Sequence, residues 1–267
     1  MATRALLTCA GGLGQPSVIR HLAGLRELDG VVGLDRAHFG ASRALLDWGS
    51  RHHGEDLPAI VQRCQREFGA VVWLPCCEED AVALDSSRAI WASKRATMLA
   101  LDGVLPIPRY VLEGLEKPDH GRGGRGQRRT DCVQEWLPGT DWSVDVVADH
   151  GVVLAAVPRE RVKARGMSVI ATVRPHPVLE SLVATFVRAF GISGLWNMQF
   201  REDQHGQPRC YEVNPRVGGS VMMAVLAGVD LFRMEVRRQL GLSFLGAPRP
   251  TIMTIARHFV EVTCPPS

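Results

Sequence analysis

Glu212, Asn214 and Arg216 stand at every second position of Cys210-Tyr211-Glu212-Val213-Asn214-Pro215-Arg216. On an extended strand that spacing points all three side chains to one face. A carboxylate, an amide oxygen and a guanidinium then share one space. Hard cations such as Mg2+ take oxygen ligands and sit beside phosphates, while a guanidinium grips phosphate oxygens through its fork of N–H donors. Such a trio suits a nucleoside triphosphate. Pro215 and Gly218-Gly219 equally mark an ordinary strand exit, so the rest of the chain has to separate the two readings.

The elements around this stretch supply partners. Residues 195–201 form a second strand, joined to the first by a polar turn at His205-Gly206. A tight two-residue turn there sets Gln199 opposite Glu212 and Asn197 opposite Asn214. Upstream, residues 142–147 and 152–157 alternate on either side of Asp149-His150-Gly151, the signature of an antiparallel hairpin. Arg159, Arg161, Lys163 and Arg165 follow at alternate positions, and then Arg174. They form either a basic wall around an acidic substrate or a charged edge strand. Leu179, Leu182, Val183, Phe186, Val187 and Phe190 recur with helical spacing up to Gly191. Residues 221–226 and 231–240 are expected as helices, and 252–262 as a final strand.

The first ninety or so residues have another grammar. An apolar run at 4–10 breaks into Gly11-Gly12-Leu13-Gly14, then Val18, Ile19, Leu22 and Leu25 take helical spacing, and a second apolar run at 30–34 ends in Asp35. That order is strand, glycine turn, helix, strand. It resembles a dinucleotide fingerprint, with Ser17 in place of the third glycine, and equally a tight structural turn. Residues 41–49 and 58–68 are expected as helices and 70–75 as a strand, which gives a small parallel sheet. Cys76-Cys77 precedes Glu78-Glu79-Asp80, the acidic start of a helix. A helix over 90–101 carries Lys94. Residues 117–129 combine four glycines with basic side chains, suited to wrapping an anion or to serving as a basic linker.

Composition bounds the function classes. With 267 residues, 46% of them hydrophobic and 22% charged, the chain can build a large core and two domains. A net charge of +3 gives no support to a nucleic-acid or membrane partner. No run reaches the ~18 apolar residues of a membrane span, and the apolar start gives way to glycines too soon for a signal peptide. Seven cysteines, odd in number and without zinc-type spacing, imply a reduced, cytoplasmic protein.

Taken together these residues resemble the ATP-grasp superfamily, near its carbamoyl phosphate synthetase and biotin carboxylase branch. The resemblance implies α/β and α+β architecture. An N-terminal Rossmann-like pre-ATP-grasp domain is expected at 1–88 and an ATP-grasp domain at 89–267, divided into a lid subdomain at 89–136 and a C-terminal subdomain at 137–267. It further implies that Lys94 and Lys117 contact phosphates. Gln134, Glu135 and Leu137 belong to the hinge that lines adenine through backbone groups, and Asp141 matches the acidic residue that holds the ribose hydroxyls. Gln199, Glu212 and Asn214 match the magnesium ligands, and Arg216 matches the arginine that steadies the transferred phosphoryl group. Arg159 and Arg174 would hold the substrate carboxylate or the phosphates. The implied chemistry is ATP- and Mg2+-dependent joining of a carboxylate to an amine through an acyl phosphate, with small-molecule substrates and a homodimer as one assembly.

One departure stands out. In the family a complete strand pair separates the two lysines and a longer segment follows the glycine loop; here only 110–116 precedes Lys117, and only 128–132 links the loop to Val133. The lid is therefore expected to be cut down. That shortening keeps a second reading open, a nucleotide-binding or regulatory domain without ligase activity, because an acyl phosphate needs a cover against water. A third is a nicotinamide-dependent enzyme built on Gly12, Gly14 and Asp35.

Overall fold

A computed structural model of the chain describes residues 2–36, 40–51, 57–117, 132–164, 167–244, 246 and 248–258. The chain divides into two compact units. The first contains residues 1–86, 232–245 and 258–267. Its strands β1 (Thr3–Thr8), β2 (Gly30–Asp35), β3 (Trp48–Arg51) and β4 (Ala70–Leu74) are all parallel, in the order β3-β2-β1-β4. Helices α1 (Gln15–Ala23), α2 (Leu57–Phe68) and α3 (Glu78–Leu84) connect or follow them. Ala5, Leu6 and Leu7 are fully buried in succession, as expected of a parallel strand covered on both faces.

The helix expected over 41–49 is instead a 3-10 turn, Gly40–Leu45, followed by β3. Two glycines in β2 explain the change. A Cβ at Gly30 would stand 1.8 Å from the Asp47 carboxylate, and one at Gly33 would stand 2.3 Å from Leu46. The segment lies flat on the sheet, held by the Asp47 carboxylate, which accepts the Val31 N–H at 2.6 Å. The glycine turn after β1 is closed from within, since Gly11 N–H donates to Asp35 Oδ2 at 2.8 Å.

The second unit contains residues 87–231 and 246–257. It opens with α4 (Ala89–Ala92) and α5 (Lys94–Leu101), where one continuous helix was expected. Ser93 breaks it by turning extended, and its Oγ accepts the Ala96 N–H at 3.1 Å, so a new helix starts at Lys94. Strands β5 (Tyr110–Lys117) and β6 (Cys132–Gln134) pair antiparallel. The main sheet comprises β7 (Asp141–Asp149), β8 (Val152–Ala164), β9 (Met167–Val173), β10 (Gly194–Glu202), β11 (Pro208–Asn214) and β12 (Met253–Ala256). Its order is β11-β10-β7-β8-β9-β12, antiparallel throughout. His150 and Gly151 both take positive φ, the turn chemistry expected for the β7–β8 hairpin. The final strand is shorter than the expected 252–262, and 259–262 lie outside the described residues.

One face of this sheet is apolar. Trp142, Val144, Val146, Met198, Phe200, Cys210 and Val213 pack beneath α6 (Pro177–Phe190) and α5. Each fully buried large side chain contributes roughly 1.5–3 kcal/mol. Trp91 meets Phe186 and Phe190 edge-on at 5.1 and 4.9 Å. Helix α6 starts at His176, whose Nδ1 accepts the Leu179 N–H, and stops at Gly191 in the left-handed conformation. The short helix α7 (Met222–Leu226) follows the site loop, and α8 (Leu231–Gln239) carries the chain back to the first unit. There Arg233 and Arg237 donate to Glu27 at 2.9 and 2.7 Å. Among the described residues no helix is long and apolar enough to cross a membrane.

Candidate active site

The opposite face of the main sheet is polar, and there Asp141, Arg159, Gln199, Glu212, Asn214 and Arg216, all singled out in the sequence, come together. Asn197 pairs with Asn214 and Gln199 with Glu212. Both pairings were expected, but two compensating departures produce them. The turn is longer than two residues: Glu202 pairs with Pro208, and the Asp203 carboxylate accepts the His205 and Gln207 N–H groups at 2.9 and 3.0 Å. The register then shifts between Phe200, opposite Cys210, and Gln199, opposite Glu212. Tyr211 is the extra residue. This bulge turns Tyr211 onto the polar face beside Glu212 while Cys210 and Val213 stay in the core.

Tyr211 completes a buried cluster. Arg161 donates through Nη2 to the Tyr211 hydroxyl at 2.6 Å and to Gln199 Oε1 at 2.5 Å, and through Nε to Asp141 Oδ1 at 2.8 Å. The single hydroxyl proton has Gln199 Oε1 at 2.9 Å and Asp141 Oδ1 at 3.2 Å within reach. Burial pushes the Tyr211 hydroxyl well above its ordinary pKa, so it stays protonated. Burial alone would lower that of Arg161, but Tyr211 and Asp141 outweigh it and hold the guanidinium charged.

A second cluster surrounds Arg159, whose side chain is 1% exposed. It forms an ion pair with Asp145 and donates through Nη1 to the Ser220 carbonyl and hydroxyl, both at 2.7 Å. Asp145, fully buried, also accepts from Asn197 Nδ2 at 2.7 Å. Gly218 presses on this pair so closely that a Cβ there would stand 2.6 Å from Asp145 Oδ1. Arg159 thus ties the sheet to the loop after β11, where the sequence suggested an arginine open to substrate. Its Nε has no acceptor among the described residues.

Nearer the strand end, Asn214 Nδ2 donates to Asn197 Oδ1 at 3.3 Å, and Arg216 Nη2 donates to Asn214 Oδ1 at 3.1 Å. Arg216 Nη1 reaches the Val217 carbonyl at 3.0 Å. Glu212 is on the same face, in the field of Arg161. Arg174 departs from the expected wall. It follows β9 on the apolar side, donating to Glu160 at 2.9 Å with its guanidinium 4.7 Å above the Trp142 ring. Strand alternation is the reason: Arg174 N–H meets the Pro158 carbonyl, one position out of phase with Arg159.

The segment after β6 is held by its side chains. Gln134 and Leu137 are buried. Glu135 accepts the Arg109 N–H at 3.0 Å and Nε at 2.8 Å, while its own N–H donates to the Arg109 carbonyl at 2.9 Å. Burial raises the Glu135 carboxyl, but the two Arg109 donors outweigh it and hold the pKa below the ordinary value. Lys94 opens α5, and Lys117 ends β5 opposite Cys132; the Lys117 side chain and the glycine-rich loop at 118–131 lie outside the described residues.

Sequence reasoning missed Tyr211 and Asp145 and gave Arg161 only a place in the wall. Tyr211 sits at odd parity to Glu212, so only a bulge could bring the two together. The alternation of Asp141, Ser143 and Asp145 along β7 was a legible signal for one acidic face.

Known proteins share this fold. Residues 127–259 match the family model described as ATP-grasp in the biosynthetic pathway with Ter operon. Carnosine synthase 1 from Homo sapiens is 30% identical over 245 residues, covering 80% of this chain and 28% of that protein, so the chain spans just over a quarter of that relative's length. The L-amino acid ligase of Bacillus licheniformis superposes with a TM-score of 0.68 at 17% identity, over 89% of this chain and 74% of that one. The biotin carboxylase domain of Hydrogenobacter thermophilus 2-oxoglutarate carboxylase, solved with MgADP, ADP and bicarbonate, does so at 0.66 and 15%, over 91% and 70%. With its ATP-grasp fold and its matching family segment, the chain belongs to the ATP-grasp superfamily.

Proposed function

We propose that this chain is an ATP- and Mg2+-dependent ligase that joins a carboxylate to an amine through an acyl phosphate, releasing ADP. In this reading residues 1–88 form a Rossmann-like pre-ATP-grasp domain, 89–136 a shortened lid, and 137–267 the C-terminal part of the ATP-grasp domain. The observation that carries the reading is the polar face of the sheet, where Asp141, Gln199, Glu212, Asn214 and Arg216 converge from β7, β10, β11 and the turn beyond β11. The ADP- and MgADP-bound biotin carboxylase domain supports it through a common fold.

The donor set suits a hard cation. Glu212 offers a carboxylate with no direct hydrogen bond from the described residues, and Asn214 Oδ1 receives a single one, from Arg216. Gln199 Oε1 already accepts from Arg161 and Tyr211, so it joins a metal shell only by releasing one of them. Mg2+ held there would neutralise phosphate charge. Arg216 would then stabilise charge developing on the transferred group, and the 134–137 segment would line the base while Asp141 takes the ribose hydroxyls. On this face Asp141, Asp145 and Glu212 already balance Arg159, Arg161 and Arg216. Added phosphates need further cations, the role proposed for Lys94, Lys117 and the basic loop beyond it.

A second reading, nucleotide binding without transfer, is favoured by the internal engagement of Arg159 with Asp145 and of Arg161 with Asp141 and Gln199. One experiment separates the readings. ADP release is followed across a panel of amino acids and dipeptide-forming amines, in parallel with ATP binding by calorimetry, for wild type and Glu212→Ala. Turnover lost in Glu212→Ala supports the ligase, and binding without turnover across the panel supports the second reading. Equal turnover by both proteins removes the metal-site assignment.

A further inference from the structure

Three ligand-type side chains meet in the first unit, away from the residues assigned above. Cys9 Sγ, Cys77 Sγ and an Asp80 carboxylate oxygen all lie within 4.8 Å of one another. Sequence spacing hides the group, because the two cysteines stand 68 positions apart. Strand order reveals it. Cys9 follows β1, and Cys77 and Asp80 lie at the start of α3 just after β4, which is the parallel neighbour of β1. The chain leaves β1 toward β2 and β3 on one side and returns to β4 on the other. The gap beyond the carboxyl ends of β1 and β4 is therefore a topological switch point, the crevice in which open parallel sheets bind ligands.

We propose that Cys9, Cys77 and Asp80 bind a borderline-soft divalent cation of the zinc class. Cys9 has φ of +52°, a conformation a non-glycine residue adopts only where its surroundings dictate it. Asp80 is fully buried; its Oδ1 accepts from Arg36 Nη2 at 2.9 Å, and its Oδ2 is 3.9 Å from Cys9 Sγ. Arg36 thereby orients the carboxylate as an outer partner of a metal ligand does. Tetrahedral coordination with metal–sulfur bonds of about 2.3 Å and metal–oxygen bonds of about 2.1 Å needs ligand atoms roughly 3.5–3.8 Å apart, so from separations of at most 4.8 Å the three atoms close in by about 1.3 Å or less. Charge also fits. Two thiolates and a carboxylate carry three negative charges, which Arg36 and a divalent cation cancel. Two thiol protons leave as the cation enters, and the half-exposed Cys9 provides the way in. Thiolates select against Mg2+, so this cation is distinct from the one that serves ATP.

The test uses the full chain, reduced and freed of metal by a chelator, titrated with Co2+. One equivalent is expected to give thiolate-to-cobalt charge-transfer absorption with the intensity of two thiolates, together with tetrahedral visible bands. Zn2+ displaces these bands and excess Mg2+ leaves them intact. Cys9→Ser and Cys77→Ser each abolish two-thiolate absorption, whereas Cys64→Ser, at a buried cysteine elsewhere, retains it. Absence of charge-transfer absorption in the wild type, one-thiolate intensity, or a spectrum unchanged in Cys9→Ser and Cys77→Ser overturns the proposal. Should either serine variant fail to fold, the wild-type spectrum and its displacement by Zn2+ decide alone.

Discussion

Arg159 offers the sharpest test of how the sheet face is built, since the sequence suggests a substrate-binding arginine and the structure shows a buried tie. Replacing it with methionine removes the partner of Asp145 and the donor to the Ser220 carbonyl and hydroxyl. Among the described residues Asp145 then keeps Asn197 Nδ2 as its side-chain donor. Each buried acceptor left without its partner costs about 1–3 kcal/mol, and breaking a buried ion pair from one side costs about 3–5 kcal/mol. For a protein of this size that lowers the melting temperature by about 6–20 °C. The companion change Asp145→Leu in the Arg159→Met background removes the stranded charge, so the double variant recovers most of the loss. Thermal and urea unfolding of wild type, both single variants and the double variant form a double-mutant cycle with a large positive coupling. If Arg159→Met melts within about 2 °C of wild type while the Kd for ATP or the substrate KM rises sharply, Arg159 serves the ligand and the structural account fails.

Other consequences follow from the same face. Tyr211→Phe removes the hydroxyl that accepts from Arg161 and faces Gln199 and Asp141, and is expected to lower unfolding free energy by about 1–2 kcal/mol in urea titration. Gly218→Ala forces a Cβ against the Asp145 carboxylate and is expected to destabilise by about 1–3 kcal/mol, a loss readable by thermal unfolding. In the β10–β11 turn, the Gln207 and His205 N–H groups and Arg209 hold Asp203 at a pKa of about 2. Because the folded value is depressed, the turn keeps this support above the ordinary aspartate range and loses it as pH falls through about 2. Amide exchange at His205 and Gln207 should therefore accelerate between about pH 4 and pH 2, and Asp203→Asn should remove that step.

Much of the molecule was legible in the sequence. Periodicity two marked β7 and β11, periodicity 3.6 marked α6, and an assumed two-residue turn gave the pairings Gln199–Glu212 and Asn197–Asn214, which hold because the longer turn and the bulge cancel. Alternation is a local rule, set by the pleat and by which face is buried, so a single sequence expresses it. What tertiary structure decided was where that rule breaks and what each polar group meets. The Tyr211 bulge cancels a longer turn and brings an aromatic hydroxyl to the site, a compensation between separate strands that no local pattern carries. Arg174 fell on the apolar side because β9 set its phase against β8. Arg159 became a tie because Asp145 and Ser220, distant in sequence, close around it, and a buried charge is fixed by its partners rather than by its own residue type. The residue types needed for phosphate and metal chemistry were present in the sequence alone. Which of their atoms carry partners within the protein was decided by burial and hydrogen bonding in the folded sheet.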